Sequence, residues 1–273
     1  MLLVLSGCAG DGAPDEVVTA PPRTAPPDHV PTTPSPTGAA STTEDAEAAR
    51  VLELTAEAVP LTIDAGAGTV LRGLQYGSGS HVVLLAHMGR TGDSQEDWAP
   101  LAAALADAGL TVVTYDRRGV CSPTLDTCST AGEMPLEGWR DVVAATEFVR
   151  GQGFDTITIG GASLGAMEAM EAMGQADLQV DGFIWLAGVL TGDYTFTEED
   201  FAALPEVPKL FVSAEYDRYG AAEDACHAAD WSTDPVTLLI VPGNRHGTDL
   251  WEKGVTEGTG LAVVEAFLEF VAG

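Results

Sequence analysis

Residues Thr156–Met170 read T-I-T-I-G-G-A-S-L-G-A-M-E-A-M. The first half is an apolar, β-branched run and the second half has the composition of a helix, so the chain passes from strand to helix at the G-x-S-x-G string Gly161–Gly165. As five letters that string is weak, because Gly, Ala and Ser are common here. Its position between a strand and a helix gives it weight, since that is where a nucleophile elbow stands. Such a turn forces Ser163 into a strained backbone conformation, and small residues at Gly161 and Gly165 keep strand and helix from clashing. It also raises the Ser163 hydroxyl at the C-terminal end of a sheet, where open α/β folds form their sites. A Gly-rich turn without chemistry would look the same locally, so the partners of Ser163 decide.

Outward from this turn the pattern repeats. H-V-V-L-L-A over 81–86 is a continuous apolar run, as a strand covered on both faces requires. Helical spacing follows over 96–108, stopped by Gly109, then a strand over 111–115 and a helix over 137–150. The spacing predicts strands over 156–160, 183–188, 209–214 and 236–241, and helices over 164–173 and 260–271. The segments 58–64 and 69–76 alternate apolar and polar residues around a Gly-containing turn, as a hairpin does; 50–55 reads equally as helix or edge strand. Strands separated by helices imply crossover connections, hence an α/β fold with a mostly parallel central sheet and helices on both faces. About twenty residues separate the strand ending at Gly188 from the one starting at Lys209, too few for a large cap domain.

A serine hydroxyl needs a base to take its proton. Of five histidines, His29 lies in a Pro-rich tail, His81 opens a strand, His227 sits on a helix and His87 follows a strand. His246, in V-P-G-N-R-H-G after the last strand, occupies a late loop at the same sheet edge as Ser163 and is the candidate base. The imidazole in turn needs a carboxylate to fix its tautomer. Asp217, in A-E-Y-D-R directly after a strand, is the choice, with Glu215 nearer the strand end and Asp193 after the preceding strand as alternatives. The N–H of Leu164, next to the nucleophile, is one candidate donor to a developing oxyanion.

From Ala58 onward the sequence resembles the α/β-hydrolase superfamily, especially its small dienelactone-hydrolase-like and esterase-like members. The matching pieces are A-H-M-G, D-W-A-P-L-A-A-A-L-A-D-A-G, V-V-T-Y-D-R-R-G, G-G-A-S-L-G, A-E-Y-D and N-R-H-G, with nucleophile, acid and base in the superfamily's order. The resemblance implies an α/β-hydrolase fold, a Ser163–Asp217–His246 triad, and a second oxyanion donor from Met88 in the loop after the 81–86 strand. It implies hydrolysis of a carboxylic ester, thioester or amide through an acyl-enzyme on Ser163. An acyltransferase on the same triad, or a non-catalytic binding lipoprotein keeping the fold, are the rival readings. Two departures stand out: the superfamily's His-Gly motif is His87-Met88 here, and the Arg-Gly segment continues as R-G-V-C-S over 118–122.

With 12 Lys and Arg against 41 Asp and Glu, the formal net charge of −29 makes nucleic acid a poor partner, because phosphate binding needs a basic surface. No metal-ligating cluster or nucleotide-binding glycine motif appears, so no metal and no cofactor is expected, and the expected partner is a small-molecule or lipid-like ester. No run of 18 apolar residues occurs that would span a membrane. Met1–Cys8, M-L-L-V-L-S-G-C, has no basic n-region or long apolar segment, yet its L-S-G-C resembles a bacterial lipobox with Cys8 as lipid attachment site, which fits a true start upstream of Met1. The expected organisation is a signal segment over 1–8, a disordered Pro/Thr/Ala-rich linker over 9–43 and a catalytic domain over 44–273. The expected location is the outer face of a bacterial cell membrane, held to the membrane surface by lipid. Cys121 and Cys128 flank the short loop S-P-T-L-D-T and are placed for a local disulfide in an oxidising compartment; Cys226, beside His227 on a helix, reads as a free structural cysteine.

Overall fold

The computed structural model describes residues 50, 53–130, 137–176, 178–251, 254–256 and 258–272. The signal segment, the linker, Cys8 and His29 lie outside the described residues. Strands β1 (Val59–Asp64), β2 (Val70–Tyr76), β3 (His81–Ala86) and β4 (Thr111–Tyr115) come first, and β5 (Cys121–Ser122) and β6 (Thr127–Cys128) form a small separate ribbon. Strands β7 (Thr156–Ala162), β8 (Gly182–Leu186), β9 (Lys209–Ala214) and β10 (Val236–Val241) follow. The helices are α1 (Ala99–Asp107), α2 (Trp139–Gly151), α3 (Leu164–Gln175), α4 (Glu198–Ala202), α5 (Ala221–Trp231) and α6 (Gly258–Ala272).

The main sheet has the order β1-β2-β4-β3-β7-β8-β9-β10. Only β1 and β2 run antiparallel to their neighbours; from β4 to β10 every pairing is parallel. Strands buried on both faces need mostly apolar side chains, and β3, β4 and β8 supply them, with the hydroxyls of Thr111 and Thr114 in β4 satisfied by hydrogen bonds. One apolar cluster joins Val142, Ala145 and Val149 of α2 to Ala166, Met170 and Phe211, while a second joins Leu101 and Leu105 of α1 to Val263, Phe267 and Val212, so helices cover both faces. Chain order leaves β3 in one direction, to β4, and β7 in the other, to β8, β9 and β10. The crevice at the C-terminal ends of β3 and β7 is therefore the switch point of the sheet, where open α/β folds take their ligands.

Two of the boundaries that differ from the sequence reading have plain local causes, and one helix was not expected. The helix expected over 96–108 is a 3-10 turn, Gln95–Trp98, followed by α1 from Ala99. Pro100 has no N–H to donate back to Glu96, so an α-helical ladder cannot run through it, while Ser94 and Asp97 close a capping box on the 3-10 turn. The strand expected to reach Gly188 ends at Leu186, because Ala187 takes φ +48°. The segment between β8 and β9 carries the single short helix α4, whose Phe201 is packed into the core.

Candidate active site

Ser163 stands between β7 and α3 with φ 52° and ψ −118°, a conformation that costs energy for any residue with a side chain. Its N–H is fixed by the Leu186 carbonyl at 2.8 Å and its own carbonyl accepts from Ala166 at 3.0 Å. The flanking glycines are required by space rather than by dihedral angle. A Cβ on Gly161 would lie 2.5 Å from the Gly165 carbonyl carbon and 2.7 Å from the Ala86 oxygen; one on Gly165 would lie 2.7 Å from the His87 oxygen and closer still to that of Ala86. Strand β3, strand β7 and helix α3 are thus pressed together backbone to backbone beneath the half-buried Ser163.

His246 and Asp217 meet: Nδ1 of the imidazole and Oδ2 of the carboxylate are 2.7 Å apart, with side chains 5 % and 0 % exposed. The other carboxylate oxygen, Oδ1, accepts the Tyr219 N–H at 2.9 Å, so both oxygens are engaged. The Tyr219 ring lies against the imidazole, centroids 4.4 Å apart. Gly247, at φ +54°, brings this loop to the elbow: a Cβ there would strike the Met88 sulfur and lie 3.3 Å from the Ala162 Cβ. The residue after His246 therefore touches both the residue before Ser163 and the side chain of Met88. No hydrogen bond joins the Ser163 hydroxyl to His246 among the described residues; such contacts commonly tighten only with substrate in place. Of the alternative acids, Glu215 and Asp193 are exposed and neither reaches His246.

The loop after β3, which carries Met88, owes its shape to His87. Buried and beside the Arg117 guanidinium, His87 has its pKa pushed well below the usual imidazole range, so it is neutral. Its Nε2 accepts the Arg117 N–H at 3.2 Å, which leaves the proton on Nδ1 to donate to the Met88 carbonyl at 2.7 Å. The Arg117 Nη2 donates to the same carbonyl. With its carbonyl held twice over, the Met88 peptide is fixed, and neither its N–H nor that of Leu164 has an acceptor among the described residues. The Met88 side chain is fully buried in the α1/α6 core.

Two further ties hold the rim. Arg90 grips Asp249 with two bonds of 2.7 and 2.8 Å and also meets Asp93, joining the Met88 loop to the His246 loop. Cys121 and Cys128 stand opposite each other on β5 and β6 and form a disulfide, and the ribbon is anchored by Ser122 donating to the buried Asp116. Cys226, read from the sequence as a free cysteine, is disulfide-bonded; helical spacing from His227 speaks to one partner only and says nothing of residues brought up from elsewhere in the chain. Among the described residues the other two histidines serve locally: His81 bonds Thr158 at 2.9 Å and His227 stacks on Trp231.

Sequence reasoning missed Arg117 and Glu168. They line a cavity of about 300 Å³ beside the elbow, with Gly89 and Leu164 forming its wall toward Ser163. A partial signal for Glu168 existed in A-M-E-A-M, 166–170, where a single carboxyl interrupts an apolar stretch of the helix, although its i+3 neighbour is the charged Glu171. Among the described residues, no three His, Cys, Asp or Glu side chains gather as a metal site would need, and no helix is long and apolar enough to cross a membrane.

Residues 82–266 match the model of the alpha/beta hydrolase family. No curated protein matches the sequence. Among solved structures, a carboxylesterase from Bacillus subtilis superposes with a TM-score of 0.61 at 15 % identity, over 83 % of this chain and 96 % of its own. The dienelactone hydrolase from Anabaena variabilis gives 0.59 at 19 % identity, over 79 % and 96 %. A CIB-like hydrolase from Thermoplasma acidophilum gives 0.59 at 18 % identity, over 78 % and 97 %.

Proposed function

The chain belongs to the alpha/beta hydrolase family and has its fold without a large cap domain, and from this we propose that it is a serine hydrolase cleaving a carboxylic ester, thioester or amide. The observation that carries the reading is the buried His246–Asp217 pair, on a loop packed against the residue that precedes a serine held at φ 52°. The Ser163 hydroxyl attacks the substrate carbonyl carbon as His246 Nε2 takes its proton. Asp217 Oδ2 holds the opposite nitrogen and stabilises the imidazolium. The developing oxyanion is received by the N–H groups of Leu164 and Met88, each worth about 3 to 4 kcal/mol in such sites. Collapse breaks the bond to the alcohol, thiol or amine, which leaves with the proton from His246. Water, deprotonated in turn by His246, then releases the acid from Ser163. Both oxyanion donors are backbone groups without competing acceptors, so the site is organised before substrate arrives.

The test is fluorophosphonate labelling and hydrolysis of p-nitrophenyl butyrate by wild type and Ser163→Ala. Labelling confined to wild type, with turnover reduced roughly 10⁴- to 10⁶-fold in the variant, is expected. Wild-type rates in Ser163→Ala would sink the proposal. Product analysis with an added alcohol separates hydrolysis from acyl transfer.

Export and a lipid tether at Cys8 extend the proposal, on the support of the L-S-G-C stretch and the Pro- and Thr-rich segment after it. A lipid thioether on Cys8 and a disulfide through Cys8 exclude each other, since both use one sulfur. Non-reducing peptide mass analysis of envelope-derived protein decides: a lipid-bearing Cys8 peptide supports the tether, and an unlipidated Cys8 peptide linked to Cys226 overturns it.

A further inference from the structure

Ser163 and the Leu164 N–H belong to one rigid element, the turn from β7 into α3, whereas Met88 and His246 stand on two loops, after β3 and after β10. Strands β7, β8 and β9 lie between those two strands, so at the usual spacing their ends are roughly 19 Å apart across the sheet. The ladder of the sheet therefore does not set how close Met88 and His246 come; contacts between the loops do. Gly247 rests on the Met88 sulfur, a contact that stops closer approach but does not resist separation. Trp251 Nε1 donates to the Asp97 carbonyl at 3.0 Å, well beyond Met88 in the chain. The Arg90 guanidinium bridges the loops at the rim itself. Its Nη1 and Nη2 donate to the two oxygens of Asp249 at 2.7 and 2.8 Å, its Nε donates to Asp93 at 3.2 Å, and the Arg90 N–H reaches Asp93 Oδ2 at 2.7 Å. Asp249 in turn donates its N–H to the His246 carbonyl at 3.1 Å. Between Met88 and Arg90, Gly89 is pressed against Leu164, whose side chain would stand 2.8 Å from a Cβ placed there.

We propose that Arg90 is a positioning residue for the reaction: by holding Asp249 it fixes the gap between the Met88 N–H and the His246 imidazole. The inference rests on the serine-hydrolase reading, in which one tetrahedral intermediate must touch both groups at once. A guanidinium fork on a carboxylate fixes distance and orientation together, which a single-point contact does not. The two side chains are 35 % and 31 % exposed, so the pair contributes little to stability. Its consequence is geometric. A misplacement of about 1 Å between groups that act on the same reacting centre can cost on the order of 10²-fold in rate. Charge is not the means, because Arg90 with Asp93 and Asp249 sums to one negative charge, which would repel an oxyanion rather than stabilise it.

The experiment measures kcat and KM for p-nitrophenyl butyrate, per site titrated with a fluorophosphonate, and the inhibition constant of butaneboronic acid, whose tetrahedral adduct mimics the intermediate. The variants are Arg90→Gln, Arg90→Lys, Asp249→Asn and the double variant Arg90→Gln/Asp249→Asn. In Arg90→Gln and in Asp249→Asn, kcat is expected to fall at least fivefold with KM within twofold of wild type. The boronic acid is expected to bind at least fivefold more weakly, and the unfolding midpoint to stay within about 4 °C, as for loss of a part-exposed ion pair. Arg90→Lys, which keeps the charge but not the fork, is expected to stay at least threefold down. The double variant restores the net charge of the wild-type trio and is expected to be as slow as the slower single variant, within twofold. A smaller fall in kcat in the single variants overturns the proposal, as does a loss confined to KM, which would make Arg90 a substrate contact. Wild-type rates in Arg90→Lys or in the double variant would show that charge and not geometry acts, and losses that multiply in the double variant would show that the two residues act separately; either result overturns it. Unchanged binding of the boronic acid overturns it too. If wild type neither hydrolyses the ester nor takes the fluorophosphonate, the serine-hydrolase reading has failed, and the positioning role with it.

Discussion

The two flanks of Ser163 differ in how completely the protein matches its own polar atoms. On the His246 flank, Asp217 Oδ2 holds the imidazole at 2.7 Å, Oδ1 holds the Tyr219 N–H at 2.9 Å, and the His246 carbonyl accepts the Asp249 N–H at 3.1 Å. On the other flank, Arg117 Nε and Glu168 Oε2 are buried and unmatched. Groups completed by the fold are held in place before substrate arrives, as electrostatic preorganisation requires. Groups left incomplete raise the energy of the folded protein.

The largest effect is expected from removing charge on the completed flank. In Asp217→Asn the amide oxygen turns to the Tyr219 N–H, which offers only a donor, so the NH₂ group faces His246 Nδ1. That forces the proton onto Nε2, and the imidazole can no longer accept the proton of Ser163. A fall of roughly 10⁴-fold in kcat, with little change in the unfolding midpoint, is expected. A loss below tenfold would show that the pair does not set the tautomer.

Next in size is the backbone seam beneath both flanks. Gly165→Ala places a methyl against the Ala86 and His87 carbonyls, which are backbone and cannot swing aside. Urea unfolding is expected to show a loss of ~3 kcal/mol, at the high end for overpacking. A loss under ~1 kcal/mol would mean that strand β3 yields and that the elbow is looser than its contacts indicate.

The same contrast sets what could be read from the sequence. Strands β3, β4, β9 and β10 have the bounds expected of them, because short apolar runs closed by polar or turn residues carry their own limits. Helix α4 was illegible: it has five residues, an acidic first turn and one buried side chain, and it owes its place to the capping box from Thr197 and to the aromatic cluster around Phe201. Ser163, Asp217 and His246 stand at strand ends that chain order alone brings to one edge, so their neighbourhood could be read. Arg117 and Glu168 could not be paired that way. One follows β4 and the other lies a turn into α3, and only the crossing of β4, β3 and β7 brings them together.

A smaller effect separates the flanks by pH. The folded-state pKa of Glu168 is raised from 4.5 to about 7, so between these values the folded protein holds a proton that the unfolded chain has released. Stability therefore falls as pH rises through that window and levels off above it. Asp97, raised to about 7 by burial, acts in the same direction. Glu168→Gln keeps an oxygen for Arg117 but removes the titration. Its stability relative to wild type is expected to gain ~2 kcal/mol from pH 4.5 to pH 8, measured by urea unfolding at each pH. A parallel pair of curves would mean that Arg117 already compensates the charge and that this flank is better matched than its geometry shows.

The smallest effect tests which part of Tyr219 belongs to the completed flank. Its side chain is half exposed, and although the ring lies against His246, what reaches Asp217 is the backbone N–H. Tyr219→Ala keeps that N–H and should lower kcat/KM by no more than about threefold, with a stability change within ~0.5 kcal/mol. Tyr219→Pro removes the N–H, frees Oδ1 to compete for the imidazole proton and should cost more than the alanine change. If the two substitutions are equivalent, the ring and not the peptide positions the pair, and the matching of Asp217 Oδ1 contributes nothing to the fixed geometry of this flank.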